Sequence, residues 1–309
     1  MTKLGYVLPT TLPGWAEGDD PRALLDLAVE AERLGVDSLW VGDTLLRPVV
    51  EPLTTLAGVA AVTSTIGLGA ATLLPAFRRP VQAAHALASL DRLSGGRLTI
   101  AVGAGFPNRS EREYAISEVP WERRFARLDD TVALWRRLWA GETAFVGGVE
   151  VPPVLPPSRP GGPPIWLGGA SPSALARVAR HYDGWLPYPP QPGTYARGLA
   201  TIAAAAPAVH APGAPAAGAL AAGRAVTPAL FASVLIGDGG RAALDVYVRA
   251  AYGMPLEVVE TIQLLIAGSP EHIREVLGRY DGVEHLVIRI AALDLPTQRD
   301  QLALLRRGI

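Results

Sequence analysis

The sequence predicts a (β/α)8 barrel, and two observations carry that expectation. Short apolar runs alternate with helix-patterned segments from one end of the chain to the other, giving eight strand–helix units. A chain of 309 residues, 49% of them hydrophobic, holds enough apolar surface for one barrel-sized core. A doubly wound sheet is the rival. It normally uses fewer strands, and its dinucleotide fingerprint is missing: Gly103-Ala104-Gly105 runs into Phe106-Pro107-Asn108, with no third glycine where one is required. The reading is a single barrel domain over residues 1–309, with insertions after strand four and between strands five and seven.

The units follow in order. "LGYVLP" (4–9) is the first strand. The helix after it is marked by Asp19 or Asp20 as cap and Pro21 in its first turn; Leu24, Leu27, Ala28, Ala31 and Leu34 make one face, and Gly35 ends it. "DSLWVG" (37–42) and a helix near 52–63 make the second unit, "IGLGAATLL" (66–74) and a helix from Pro80 to Leu93 the third. The fourth strand, roughly 97–103, lies in "LDRLSGGRLTIAVGAGF". A helix from about Trp121 to Ala140 follows it, with Phe125, Leu128, Val132, Trp135 and Trp139 on its apolar side. "PIWLG" (164–168) with a helix from Pro172, and "DGWLP" (183–187) with a helix near 194–206, give units five and six. "ALFASVLIG" (229–237) is followed by helices near 240–252, 256–267 and 270–281, and "HLVIRIA" (285–291) by a last helix near 297–307. Residues 141–163 are rich in Pro and Gly and read as an excursion; residues 203–228, mostly Ala, Pro and Gly, read as a flexible loop or a poorly packed helix.

Composition removes several function classes. A net charge of -1 gives no electrostatic case for nucleic acid or an anionic membrane. Cysteine is absent, which excludes disulfides, thiolate metal sites and cysteine nucleophiles. Lys3 is the only lysine, so Schiff-base chemistry lacks its amine. The start of the chain carries no signal-peptide pattern and no long apolar segment, and the expectation is a cytoplasmic protein.

In a barrel the chemistry sits at the carboxyl ends of the strands. Those ends hold Asp43-Thr44 after strand two, Gly103-Ala104-Gly105-Phe106 after strand four and Gly168-Gly169-Ala170-Ser171 after strand five. His85, His181, His210, His272 and His285 all fall elsewhere, which removes a histidine-ligated metal centre, and no metal is expected. There is no G-x-S-x-G elbow and no carboxylate pair. A rim this poor in reactive side chains points to a bound cofactor as the source of reactivity. The small residues Gly103 to Gly105 serve either a sharp turn or the close approach of a ligand. Gly168 to Ser171 is either a tight turn capped by Ser171 or an anion site at the start of a helix. Asp43 and Thr44 either face the reactive edge of the cofactor or cap and pack the local turn.

The motifs then resemble the bacterial luciferase-like family of flavin-dependent oxidoreductases, which includes reduced-FMN monooxygenases and enzymes of the deazaflavin coenzyme F420. "LASLDRLSGGRLTIAVGAGF" is similar to the family's signature around strand four. "DSLWVGDTLL", "GLGAATLLPAFRRPV", "VPWERRFARLDDTVALWRRLW", "PPIWLGGASPSALARVARHYDGWLP" and "GSPEHIREVLGRYDGVEHLVIRI" accompany it in the family's order. The resemblance implies a flavin lying across the strand ends against Gly103, Gly105 and Phe106, with its phosphate at Gly168, Gly169, Ala170 and Ser171. It implies a bulge or a non-prolyl cis peptide within Ala70-Ala71-Thr72, behind the flavin ring. Arg124, Arg127 and Asp130 match polar positions of the family's fourth helix and are expected to form a structural lattice.

One departure matters. Sugar-phosphate dehydrogenases of the family that use deazaflavin place Asp-His after strand two, and this chain has Asp43-Thr44. The leading expectation is a monooxygenase using reduced FMN on a small organic substrate, with Asp43 and Thr44 as catalytic residues. The alternatives are a deazaflavin-dependent reductase of a C=C or C=N bond, or a silent flavin-binding homologue. A separate reductase is expected to supply electrons, and the Ala-rich helix 80–93 suggests a homodimer.

Overall fold

Eight parallel strands close on themselves in chain order: β1 (Lys3–Val7), β2 (Ser38–Val41), β3 (Gly67–Leu73), β4 (Leu98–Val102), β5 (Ile165–Leu167), β6 (Gly184–Trp185), β7 (Thr227–Ile236) and β8 (His285–Ile290). β6 pairs with β7, β7 with β8 and β8 with β1, so the ring has no open edge. The computed structural model describes residues 2–189, 191–205, 225–237 and 239–308.

The interior is a division of space between tryptophan and glycine. Trp40 and Trp166 point into the barrel with ring centroids 5.2 Å apart. A Cβ on Gly69 would lie 2.3 Å from the Trp40 ring, and one on Gly184 2.4 Å from Trp166, so neighbouring strands supply glycine where these rings sit. Below them Trp40 Nε1 donates to Ser38 Oγ at 2.7 Å, and Ser38 Oγ lies 2.7 Å from His285 Nε2. Burial, then Lys3, holds the imidazole down to about 4.

Between strands and helices lies the main core. Leu24, Leu27, Ala28 and Ala31 from helix Ala23–Arg33 are buried there, as is the Trp135–Trp139 face of helix Arg124–Trp139. Proline sets the first turn of helices Pro52–Val62, Pro80–Leu93, Pro172–His181 and Pro270–Leu277. Helix Leu295–Gly308 is bolted to the strand ends by two buried amides. Gln301 exchanges hydrogen bonds with the backbone of Ile236, and Gln298 accepts from Tyr6 Oη while donating to Ile290 and Ala292.

Several expectations are revised. Asp20 does not cap the first long helix; Arg22 precedes Ala23, and Asp20 accepts the Arg22 N–H one turn earlier. The expected helix 256–267 is a short helix, Leu256–Val259, and then a strand, Leu265–Gly268. β6 is only two residues long, so the upper half of β7 lacks a neighbour, and the strand fills that edge by pairing with Ser233–Ile236. The excursion at 141–163 contains a hairpin, Ala144–Val146 with Val149–Val151, turned by Gly147 and Gly148 at φ 58° and 79°. Ala83, Ala84 and Ala88, the small residues that suggested a partner helix, are buried in the chain's own core. Of the Ala-rich stretch 203–228, residues 206–224 with His210 lie outside the described residues; residues up to Ala205 end a helix and Thr227 begins β7.

Candidate active site

A cavity of about 380 Å³ opens at the carboxyl end of the barrel. Its floor is β3. Ala71 faces the interior, the Ala71–Thr72 peptide is cis, and the pairing of β3 with β4 slips between Ala71 and Leu73. Bulge and cis bond thus both fall within the expected triplet. Ala70 alone points the other way, into the core under the helices, because alternate residues of a strand face opposite sides.

The glycines around this floor have a steric cause. A Cβ on Gly103 would come 3.0 Å from Thr72 Oγ1, and one on Gly168 3.2 Å from Thr72 Cγ2. Gly105 has φ +80°, and a Cβ there would meet Ser110 at 2.6 Å. The sharp turn is found, and the room that glycine leaves is taken by the chain's own Thr72 and Ser110. Phe106 stacks on Tyr188 at 6.0 Å, and Tyr188 meets Phe231 edge-on, so an aromatic wall stands over a flat, small-residue floor.

At β5, Ser171 Oγ accepts the Ala174 N–H and caps the helix, as the turn reading required. Gly168 through Ser171 nevertheless line the cavity. Among the described residues the N–H groups of Gly169 and Ala170 donate to no protein acceptor, so they remain available at a helix N-terminus, where an anion is favoured. A flat apolar floor, an aromatic wall and this turn together suit a planar cofactor bearing a phosphate.

Asp43 is placed otherwise than expected. Its side chain is 2% exposed, and both oxygens are engaged: Oδ2 by Arg78 Nη1 at 2.6 Å and Leu74 N at 3.0 Å, Oδ1 by Arg78 Nη2 at 3.2 Å. Burial pushes its carboxyl up, and the Arg78 guanidinium works against that. Arg78 also holds Glu51, the cap of the next helix. Asp43 lines the cavity, but its carboxylate is turned to Arg78 and Leu74 and fixes the β2 and β3 loops to each other. Thr44 lines the cavity, and its hydroxyl donates to Glu113 Oε1 at 2.6 Å.

Sequence reasoning missed Glu113. It is 3% exposed, sits on helix Ser110–Ile116, and also accepts the Leu45 N–H at 2.9 Å. It missed Arg289, Tyr252 and Gln263 as well, which line the far wall. Phe125, expected in the helix core, is 39% exposed and lines the cavity. The lattice of Arg124, Arg127 and Asp130 is not found. Arg124 lies over the rings of Trp121 and Phe125, and this helix pairs instead through Asp129 with Arg177, shared with Tyr182 Oη, and through Arg136 with Asp183 and Arg137 with Glu142. A larger groove, about 540 Å³, runs between residues 75–80 and helix Arg124–Trp139 and takes in none of the strand-end glycines. Among the described residues no group of acidic or histidine side chains could hold a metal, and no helix is long and apolar enough to cross a membrane.

Fold and site together define a (β/α)8 barrel with a small-residue cavity at the carboxyl ends of its strands. The model of the luciferase-like monooxygenase family matches residues 2–294, and the chain belongs to that family. Curated relatives include F420-dependent glucose-6-phosphate dehydrogenases. That of Amycolatopsis mediterranei is 32% identical over 199 residues, 60% of this chain and 57% of the relative. That of Beutenbergia cavernae is 34% identical over 201 residues, 60% of this chain and 56% of the relative. The chain thus spans little more than half the length of the relatives it matches. Solved structures share the fold from end to end. They include an F420-dependent tetrahydromethanopterin reductase of Methanopyrus kandleri (TM-score 0.73, 16% identity, 100% of this chain and 98% of that one). They also include the oxygenating constituent of a Pseudomonas putida diketocamphane monooxygenase in complex with FMN (TM-score 0.73, 16% identity, the same coverage).

Proposed function

We propose that this chain is an F420-dependent oxidoreductase that reduces a C=C or C=N bond, in place of the FMN monooxygenase that led the sequence reading. The observation that carries it is Thr44. The relatives that match at 32–34% identity are F420-dependent dehydrogenases of a sugar phosphate. Where the family's sugar-phosphate dehydrogenases carry a histidine, this cavity has a hydroxyl held by Glu113. A threonine takes no proton near neutral pH, so alcohol oxidation lacks its base, and with its one proton given to Glu113 the hydroxyl offers a substrate only acceptor lone pairs.

When bound, reduced deazaflavin supplies the hydride. The chain's residues do the rest. Ala71, Gly103 and Gly168 form the floor against which a planar ring lies, and the Gly169 and Ala170 N–H groups take a phosphate. Phe106, Tyr188 and Phe231 exclude water from one wall. Glu113 orients the Thr44 hydroxyl at the β2 end of the cavity. A separate reductase regenerates the cofactor, and residues 1–309 act as one domain.

The test is titration of the apo protein with F420 and with FMN, followed by anaerobic oxidation of reduced F420 against unsaturated acids and imines. F420 is expected to bind at least ~10-fold more tightly than FMN, about 1.4 kcal/mol, and turnover to proceed without oxygen. Oxygen uptake with reduced FMN, and no F420 binding, would return the protein to the monooxygenases. Tight binding with no turnover would make it a silent homologue.

A further inference from the structure

The cavity's far wall carries positive charge that nothing in the chain neutralises. Arg289, at the end of β8, donates from Nη1 to Tyr252 Oη at 2.5 Å and lies over the Phe231 ring at 4.9 Å. Arg109, on the loop after β4, lies over the same Tyr252 ring at 5.8 Å. Tyr252 Oη in turn donates to Gln263 Oε1 at 3.0 Å, which fixes the ring between the two cations. Arg47, on the loop after β2, belongs to the same cluster: burial first, then repulsion from Arg109 and Arg289, holds its guanidinium below the usual range.

Three other half-buried arginines of this chain are paired with carboxylates, while Arg97 donates to the carbonyls of Ala60, Thr63, Ile66 and Ser94 and Arg124 lies over the Trp121 and Phe125 rings. Arg78 has Asp43 and Glu51, Arg136 has Asp183, and Arg177 has Asp129. Among the described residues Arg47, Arg109 and Arg289 have no carboxylate partner. Glu113 lines the same cavity but is turned to Thr44 and Leu45. Three half-buried cations brought together without a counter-ion are costly unless a ligand completes them. Guanidinium forks match the paired oxygens of carboxylates and phosphates.

We propose that Arg289 and Arg109, braced by Tyr252, bind a carboxylate or phosphate group of the substrate, so that the reaction acts on an anionic molecule. The proposal rests on the reductase reading for the word substrate, but the anion site stands on the arginines alone. Its place argues against the cofactor's phosphate as the occupant: Arg289 is three strands round the barrel from the Gly168–Ser171 turn. An anion held there lets the rest of a small molecule reach across the floor toward Thr44.

The experiment is calorimetric titration of the whole protein, without cofactor, with succinate and with inorganic phosphate at constant ionic strength. Wild type is expected to bind one of them, and which one names the group. Arg289→Gln and Arg109→Gln should each weaken that binding at least ~10-fold, while Arg289→Lys, which keeps the charge, should retain it within about threefold. Arg109 is on a loop and its side chain lies over the Tyr252 ring at the cavity wall, so its variant tests the site even if Arg289→Gln fails to fold. F420 affinity, titrated in parallel, should stay within about threefold in all variants. Absence of anion binding in wild type, or no loss in either Gln variant, would overturn the proposal. So would a parallel loss of F420 affinity, which would mean that the arginines hold the cofactor's own anionic tail. Anion binding by a protein that takes up no F420 would remove the cofactor assignment and leave the anion site in place.

Discussion

Thr44 Oγ1 stands 2.6 Å from Glu113 Oε1, across 69 residues of chain. The contact joins the β2 rim to the helix after β4, and Leu45 N–H adds a second donor to the same oxygen. In Glu113→Ala two partly buried donors lose their acceptor. The expected loss is ~2 kcal/mol in urea unfolding, with Glu113→Gln, which keeps an acceptor oxygen, losing less than half of that. Equal stability of the Ala variant and wild type would mean that the loop is held by other contacts.

Asp43 and Arg78 make the second joint. Removing the carboxylate in Asp43→Ala leaves a half-buried guanidinium with only Glu51, so unfolding free energy should drop by ~2–3 kcal/mol, below the range for an isolated buried charge because Glu51 remains. Arg78→Met in the same background should cost little more, since the pair is already broken. Additive losses in the double variant would refute the coupling.

The barrel was legible because strand and helix periods alternate in the chain itself, and the rim glycines because few side chains fit where Thr72 and Ser110 press against the backbone. Glu113 was not legible. It lies in a seven-residue helix inside a polar loop, and only the closing of the barrel brings it to Thr44. Arg289 was hidden differently, as one polar residue in "HLVIRI", where strand alternation does not say which side faces the cavity. Asp43 was correctly placed at the rim, but its partner is 35 residues away, and no local pattern announces a long-range ion pair. The 256–267 segment was misread because a short apolar run suits helix and strand alike, and the unfilled edge of β7 decided between them.

His285 makes stability depend on pH. Its imidazole is held at about 4 in the folded chain against an ordinary 6.5, because it is buried and lies near Lys3. The unfolded state therefore binds a proton between those two values and the folded state does not. The contribution is complete above pH 6.5 and is lost as pH falls toward 4, up to ~3 kcal/mol. Unfolding measured at neutral pH and again near the lower limit should show His285→Gln losing less stability on acidification than wild type. Parallel losses would assign the acid sensitivity to other groups.

Gly69 and Trp40 give the last prediction. The methyl of Gly69→Ala would lie 2.3 Å from Trp40 Cε3, far inside contact distance, and Trp166 on the other side of Trp40 leaves the indole no room to retreat. Overpacking a close-packed interior in this way should cost ~2–3 kcal/mol, despite the gain that alanine ordinarily brings to a strand. Trp40→Leu alone should also destabilise, by the cavity it leaves and by the loss of its bond to Ser38. In the double variant the new methyl enters space that the indole has vacated. The two losses should then sum to at least ~1.5 kcal/mol less than the singles predict, read from urea midpoints at constant slope. Strict additivity would show that the strand relieves Gly69→Ala by moving its backbone, and that tryptophan and glycine do not share one volume.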